Sequence, residues 1–203
     1  MKKGLNRIYK VKEEVANTYE FSESEADNIV ERIKEIVTET DVGGRIALDF
    51  EDIKLINPLL LSAVIDKLVE EGKKEGRGIL RGRYIIAKDP NEAVLEQIRL
   101  FLRDKHKGVS LLVVYSDPYK PKDGPPYKTL NLPPFLQETW DILEKQPMRV
   151  TEMFAQLGQK GSTRERLRQL VKRGLAVREP EGDPITGDLY FKYKIFTFED
   201  KPE

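Results

Sequence analysis

The chain has 203 residues, 39% of them hydrophobic and 34% charged, with 35 basic side chains against 35 acidic ones and no cysteine. That length suits two small domains with packed cores. Having no cysteine excludes disulfides, thiolate metal sites and a cysteine nucleophile, and the charge balance excludes any whole-chain pull towards nucleic acid or membrane, so a charge-driven role must come from local asymmetry.

Along the chain, Leu5 to Lys12 suggests a first strand. Ser22 with Glu25 reads as a capping box opening a helix, along which Ala26, Ile29, Val30, Ile33 and Val37 keep helical spacing. Gly43-Gly44 breaks the pattern and Arg45 to Phe50 (RIALDF) predicts a short strand. Asn57 is an N-cap and Pro58 fits the first helical position, starting a helix expected to reach about Glu71. Strand character resumes over Gly78 to Ala87. Asp89, Pro90 and Glu92 then repeat the cap, first-position and N3 signals for a helix through Leu102. Val109 to Tyr115 is apolar almost throughout, as a strand covered on both faces would be. This alternation predicts a mainly parallel sheet with packed helices.

Residues 117–132 hold four prolines and one glycine, and predict an extended linker between a domain over 1–116 and another over 133–203. Beyond it, Phe135 to Lys145 is expected as a helix, Thr151 as the cap of a short second one ended by Gly158. Ser162 and Glu165 suggest a capping box for a third helix, closed by Gly174. Ala176 to Arg178 and Leu189 to Phe196 then predict two strands around the loop EPEGDPITGD.

Chemistry-bearing constellations are few. From Lys160 to Arg178 seven cations (Lys160, Arg164, Arg166, Arg168, Lys172, Arg173 and Arg178) face one carboxylate, Glu165. Leu167, Leu170 and Val171 share one side of that helix, so Arg168, Gln169 and Lys172 should point to solvent, a face suited to phosphates and guanine edges. The loop beyond carries Glu179, Glu181, Asp183 and Asp188 and no basic residue, which phosphates would repel. His106 stands alone among basic residues and reads as surface. Gly76-Arg77-Gly78 and Arg81-Gly82-Arg83 lack any phosphate-loop spacing. Asp49 with Asp52 reads as a cap or turn former rather than an acid pair. No nucleophile, base and orienter set is present, so no enzyme, cofactor or metal is expected.

The segment RVTEMFAQLGQKGSTRERLRQLVKRGLAVRE closely resembles a winged-helix core, over about Leu132 to Phe196. The resemblance implies that the third helix enters the major groove of double-stranded DNA. The implied contacts are Lys160, Ser162, Thr163, Arg164, Arg166, Arg168, Gln169, Lys172 and Arg173. RIALDFEDIKLINPLLLSAVIDKLVEE, with the helix before it, resembles the STAS-like domains related to anti-anti-sigma factors. In phosphorylated members a Ser or Thr starts the helix after the Leu-Asp-Phe strand. Here Asn57 and Pro58 stand at those positions, and Ser62 lies more than a turn inside. The resemblance implies a partner or switch face at Asn57, Leu61, Ser62 and Ile65, although deeper burial of that wide apolar arc is the plainer reading.

The expected architecture is therefore a STAS-like α/β sheet with packed helices, fused to an α+β winged helix-turn-helix. Two functions remain open: a regulator that binds DNA and senses a partner or ligand, or an adaptor using both domains for protein contacts or self-association. With no apolar run near the roughly 20 residues of a membrane span, and no apolar core for a signal peptide in MKKGLNRIYKVKEEV, a cytoplasmic location without membrane contact is expected. Many charges, few Met and no Cys fit a prokaryotic, thermophilic setting.

Overall fold

The computed structural model describes residues 7–11, 23–41, 44–66, 84–105, 109–117, 119–123, 125–158, 160–182 and 189–195. They fall in two units, Met1–Asn131 and Leu132–Thr197.

The first unit is built on a five-stranded mixed sheet, in the order β1 (Arg7–Lys10), β2 (Arg45–Asp49), β3 (Tyr84–Lys88), β4 (Leu111–Val114) and β5 (Tyr127–Leu130). The first four strands are parallel and β5 is antiparallel to β4. Helix α1 (Glu23–Glu39) joins β1 to β2, and α2 (Pro58–Leu61, widening into a π turn over Ser62–Asp66) lies between β2 and β3. Helix α3 (Glu92–Lys105) joins β3 to β4. Strands laid down in sequence with right-handed crossovers must put all their helices on one face. The core agrees: Ile29, Ile33 and Val37 of α1, Leu60 and Leu61 of α2, and Val94, Ile98 and Leu102 of α3 share one cluster with Ile46, Leu48, Ala87 and Val113 of the sheet. The alternate strand positions, Ala47, Ile86 and Leu112, are buried as well. That double burial is why RIALD and LLVV read as continuous apolar runs.

Turns carry the local conflicts. Asp49 Oδ1 accepts from the Glu51 amide at 3.1 Å, and Asp52 takes a left-handed conformation (φ 61°) as the chain leaves β2. Asparagine and aspartate tolerate that region through local hydrogen bonds. Asn57 caps α2 as expected, its side chain accepting from the Leu59 amide at 2.8 Å with Pro58 in the first turn. Asp89 and Pro90, by contrast, do not start α3. Asn91 does, accepting from the Val94 amide at 2.9 Å. Asp89 adopts φ 50°, and its carboxylate is already engaged by Lys88 and Ser116. Ser22, Gly43, the end of the helix expected at Glu71, and residues 67–83 lie outside the described residues.

The expected linker also gives way over its second half. Tyr127–Leu130 pairs with β4 in the register Leu111↔Leu130, and the Tyr115 amide donates to the Pro126 carbonyl at 2.7 Å. Pro125 and Pro126 precede the strand rather than interrupt it, and an edge position tolerates them. Asn131 (φ 56°) ends the unit, its side-chain amide donating to the Val109 carbonyl at 2.8 Å.

The second unit is an α+β region with helices and a β-hairpin: α4 (Pro134–Lys145), β6 (Met148–Arg149), α5 (Val150–Leu157), α6 (Lys160–Lys172), β7 (Ala176–Gly182) and β8 (Leu189–Ile195). Its antiparallel sheet has the order β6-β8-β7. Leu136, Trp140, Leu143, Met153, Leu167, Leu170 and Ile195 are buried. Two helix starts differ from expectation. Helix α5 begins before Thr151, with the Glu152 carboxylate accepting from the Arg149 amide at 2.7 Å. Helix α6 begins at Lys160, so Ser162 sits inside it. The expected ends hold. Gly158 (φ 67°) closes α5. Gly174 (φ 72°) closes α6, with the Leu175 amide reaching back to the Leu170 carbonyl at 3.0 Å and the Gly174 amide to that of Val171 at 2.9 Å. That bond pair is a Schellman closure.

Candidate functional site

Helix α6 sorts its residues by spacing. Thr163, Leu167 and Leu170 are fully buried, while Ser162, Arg164, Glu165, Arg168 and Lys172 are exposed. Arg164, Arg168 and Lys172 follow at intervals of four, which on a helix makes one row. Thr163, expected among the nucleic-acid contacts, instead faces the unit's own core, because it stands one turn before Leu167 on the same side. The Lys160 side chain lies outside the described residues.

Arg166 is half-buried and occupied. Its guanidinium donates to Glu138 Oε2 at 2.7 Å and lies over the Phe135 ring at 5.9 Å, tying α6 to α4. Arg173 is half-buried at the helix end. Arg168 has its side chain 73% exposed and donates from Nε and a terminal nitrogen to the two oxygens of Glu165, at 2.8 and 3.0 Å. Gln169 adds a third bond to that carboxylate at 3.1 Å. The Arg168 and Gln169 hydrogen bonds hold the Glu165 carboxyl below its usual range, and the same pairing raises Arg168.

The hairpin is less acidic than its loop suggests. Glu179 pairs with Lys194 at 2.8 Å and Glu181 with Lys192 at 3.6 Å. Counting charges along the loop misses these lysines, because they stand across the ladder on β8, in the register Glu179↔Lys192. Arg178 lies 3.4 Å over the Phe191 ring and Arg149 lies 3.3 Å over that of Tyr190. Leu189 and Phe191 are exposed, the first at 76%. Asp183 and Asp188 lie outside the described residues.

In the first unit the expected partner face splits. Leu60, Leu61 and Ile65 are buried in the unit's core rather than presented to a partner, as the plainer reading held for these three. Ser62 donates to Asp66 at 2.5 Å. What the start of α2 exposes is Pro58 and Leu59, the latter at 66%. The approach to Asn57 is fixed by α3: the Asn91 side chain donates to the Ile53 carbonyl at 2.7 Å, and the Ile56 amide to Gln97 at 2.9 Å. His106 and the glycine-arginine stretch over 76–83 lie outside the described residues.

A cluster that sequence reasoning missed sits at the carboxyl ends of the parallel strands. Lys88, last of β3, donates to Asp49, last of β2, at 3.2 Å and to Asp89 at 2.6 Å. The three side chains are 9%, 4% and 0% exposed. Asp89 also accepts from the Ser116 amide at 2.6 Å and hydroxyl at 2.5 Å. Burial disfavours the Lys88 ammonium, but the hydrogen bonds and charges of Asp89 and Asp49 outweigh it, and its pKa rises above the ordinary lysine value. At the opposite ends of the same two strands, burial depresses the Arg45 guanidinium to about 10 against a smaller opposing effect of Tyr84, over whose ring it lies at 4.7 Å. The available signal was that two neighbouring strands, RIALD and YIIAKD, both end on charge after an apolar run.

Among the described residues no group of three His, Cys, Asp or Glu could hold a metal, and no helix is long and apolar enough to cross a membrane. Comparison with protein-family models, curated proteins and solved structures finds no match for the chain.

Proposed function

We propose that the second unit is a winged helix that binds duplex DNA through α6, and that the first is a STAS-like domain that senses a partner or ligand. The protein on this reading is a non-catalytic transcriptional or signalling regulator of the cytoplasm. The observation that carries it is the exposed row Arg164, Arg168 and Lys172 on the third helix of an α-β-α-α-β-β unit whose sheet runs β6-β8-β7. In DNA-binding domains of this order such a helix is the one that enters the major groove, which supports the reading. Lys192 and Lys194 on the hairpin, facing Glu181 and Glu179, remove part of the repulsion expected there. Support for the STAS-like reading comes from the strand ending Leu48-Asp49 with Phe50 just after it, the turn at Asp52 and the Asn57-capped helix.

The test is fluorescence anisotropy of random and genomic duplex at two salt concentrations. Wild type should bind with an affinity that falls as salt rises, and Arg168→Ala should weaken binding while leaving the circular dichroism unchanged. Absence of binding at low salt would end the DNA reading.

A second reading has its own observation. Leu189 and Phe191 are exposed apolar side chains on the hairpin, which protein contacts use more readily than phosphates do. An adaptor would show no duplex affinity and would lose a protein partner when those two residues are changed.

A further inference from the structure

The cluster of Lys88, Asp49 and Asp89 opens onto a cleft of about 540 Å³, inside the range of about 300–1,000 Å³ usual for small-molecule sites. Lys10, Asp49 and Lys88, the last residues of β1, β2 and β3, are part of its lining. The closing turns of α1 add Glu35, Ile36 and Glu39.

The cations of this lining are largely spoken for. Arg32 pairs with Glu35 at 2.7 Å. Lys88 is held between Asp49 and Asp89, at 3.2 and 2.6 Å, so one ammonium offsets only one of two buried carboxylates. The acidic side is left over. Glu39 meets no cation or hydrogen-bond donor among the described residues, and the Glu51 carboxylate accepts from the neutral hydroxyl of Tyr119 at 3.0 Å. With Asp89 behind the wall, five carboxylates stand against three cations. The last turn of α1 holds no basic residue, so the partial negative charge of that helix end adds to the excess.

From this we propose that the cleft binds a small aliphatic diamine or polyamine, one ammonium towards Asp49 and Glu51 and another towards Glu39. The excess of carboxylates repels an anion, and Asp49 and Asp89 oppose the carboxylate of a zwitterion. A bare divalent cation needs several oxygen ligands at about 2.0–2.6 Å. No group of three acidic side chains among the described residues is placed to supply them. An ammonium needs only hydrogen-bond acceptors, and the methylenes between two ammonium groups meet Ile8, Tyr9 and Ile36 in the wall. This inference deepens the sensing half of the proposed function, on which it rests, and needs nothing from the DNA half.

The experiment is calorimetric titration of the full chain, without DNA and at low salt, with putrescine and spermidine. Butylamine, succinate and magnesium chloride serve as comparators. Putrescine or spermidine should bind saturably, with each comparator at least about tenfold weaker, a difference of about 1.4 kcal/mol. Glu39 and Glu51 are exposed, so Glu39→Gln and Glu51→Gln keep the fold; each should weaken binding several-fold at an unchanged melting temperature. Glu96→Gln makes the same charge change on α3, away from the cleft, and should leave the affinity as it is. Any of four results would overturn the proposal. These are a comparator that binds as tightly, wild-type affinity in Glu39→Gln, an equal loss in Glu96→Gln, or no binding of either amine at about 10 mM, about 100-fold above a dissociation constant of 0.1 mM. A protein that binds putrescine but no duplex would keep this site and end only the DNA reading.

Discussion

Replacing Lys88 by methionine keeps its length and removes its charge, leaving Asp49 and Asp89 facing each other with no cation between them. Both carboxylates are at least nine-tenths buried, so solvent screens them little. Removing one partner of a buried ion pair costs about 3–5 kcal/mol, because an uncompensated charge remains in low dielectric. The unit holding the cluster spans Met1–Asn131, and for a domain of that size about 4 °C of melting temperature corresponds to 1 kcal/mol. The melting temperature of Lys88→Met should therefore fall by roughly 12–20 °C at pH 7. The assay is thermal unfolding of the full chain followed by near-ultraviolet circular dichroism, repeated from pH 4 to pH 8. The folded Lys88 pKa lies above its ordinary value, so its contribution is whole below that ordinary value and fades only as pH rises through the folded one. Adding Asp49→Asn and Asp89→Asn to Lys88→Met should restore most of the loss. A fall below about 4 °C, equivalent to about 1 kcal/mol, would mean that water reaches the cluster and that the buried-triad argument is wrong.

Three further outcomes follow from the geometry. Asn57→Ala should cost about 1 kcal/mol in denaturant unfolding through loss of the cap on Leu59, while Asn57→Ser should cost little; no change in either would mean the cap carries no stability. In the anisotropy assay, each of Arg164→Ala, Arg168→Ala and Lys172→Ala should lower the slope of log affinity against log salt by about one if its side chain meets a phosphate; an unchanged slope removes that residue from the interface. Glu179→Gln with Glu181→Gln should tighten duplex binding by freeing Lys194 and Lys192, and binding unaffected by the pair would place the hairpin away from the backbone.

How much of this the sequence shows depends on the range of the interaction concerned. Helical spacing placed Ile29, Ile33 and Val37 correctly, and the apolar runs placed β2 and β4, because these patterns report burial along one element. Asn57, Gly158 and Gly174 were legible because a cap or a left-handed closure is made within a turn of the chain. Asp89 misled because it carries the same local signal as Asn91, and only the fold shows that its carboxylate goes to Lys88 and to Ser116, 27 residues on. The ion cluster was invisible for the same reason, as Asp49 and Lys88 meet across 39 residues through the register of β2 with β3. Proline content argued against β5, since composition does not tell whether a proline lies in a strand or just before it. The apolar arc of α2 gave its direction away only once the sheet was in place.

The pairing of Arg168 with Glu165 bears on which function α6 can serve, and its magnitude decides the matter. Both side chains are largely exposed, at 73% and 46%, so solvent screens the pair and it contributes little. A base-reading arginine contributes about 1–3 kcal/mol of discrimination, so Glu165 cannot hold Arg168 back from a guanine within reach. The pair instead narrows the rotamers of a long side chain before contact, which lowers the entropy lost on binding. A carboxylate on a groove-facing helix still repels phosphates, and the two effects oppose each other in Glu165→Gln. On random duplex, where phosphates dominate, repulsion should win and the variant should bind more tightly than wild type. On a specific site the lost orientation of Arg168 should offset part of that gain, so the preference for the specific site should narrow. An adaptor surface has no reason to produce that divergence between two DNA sequences, whatever the protein partner does. The same row of cations is thus separable into its two roles by a substitution that touches none of them.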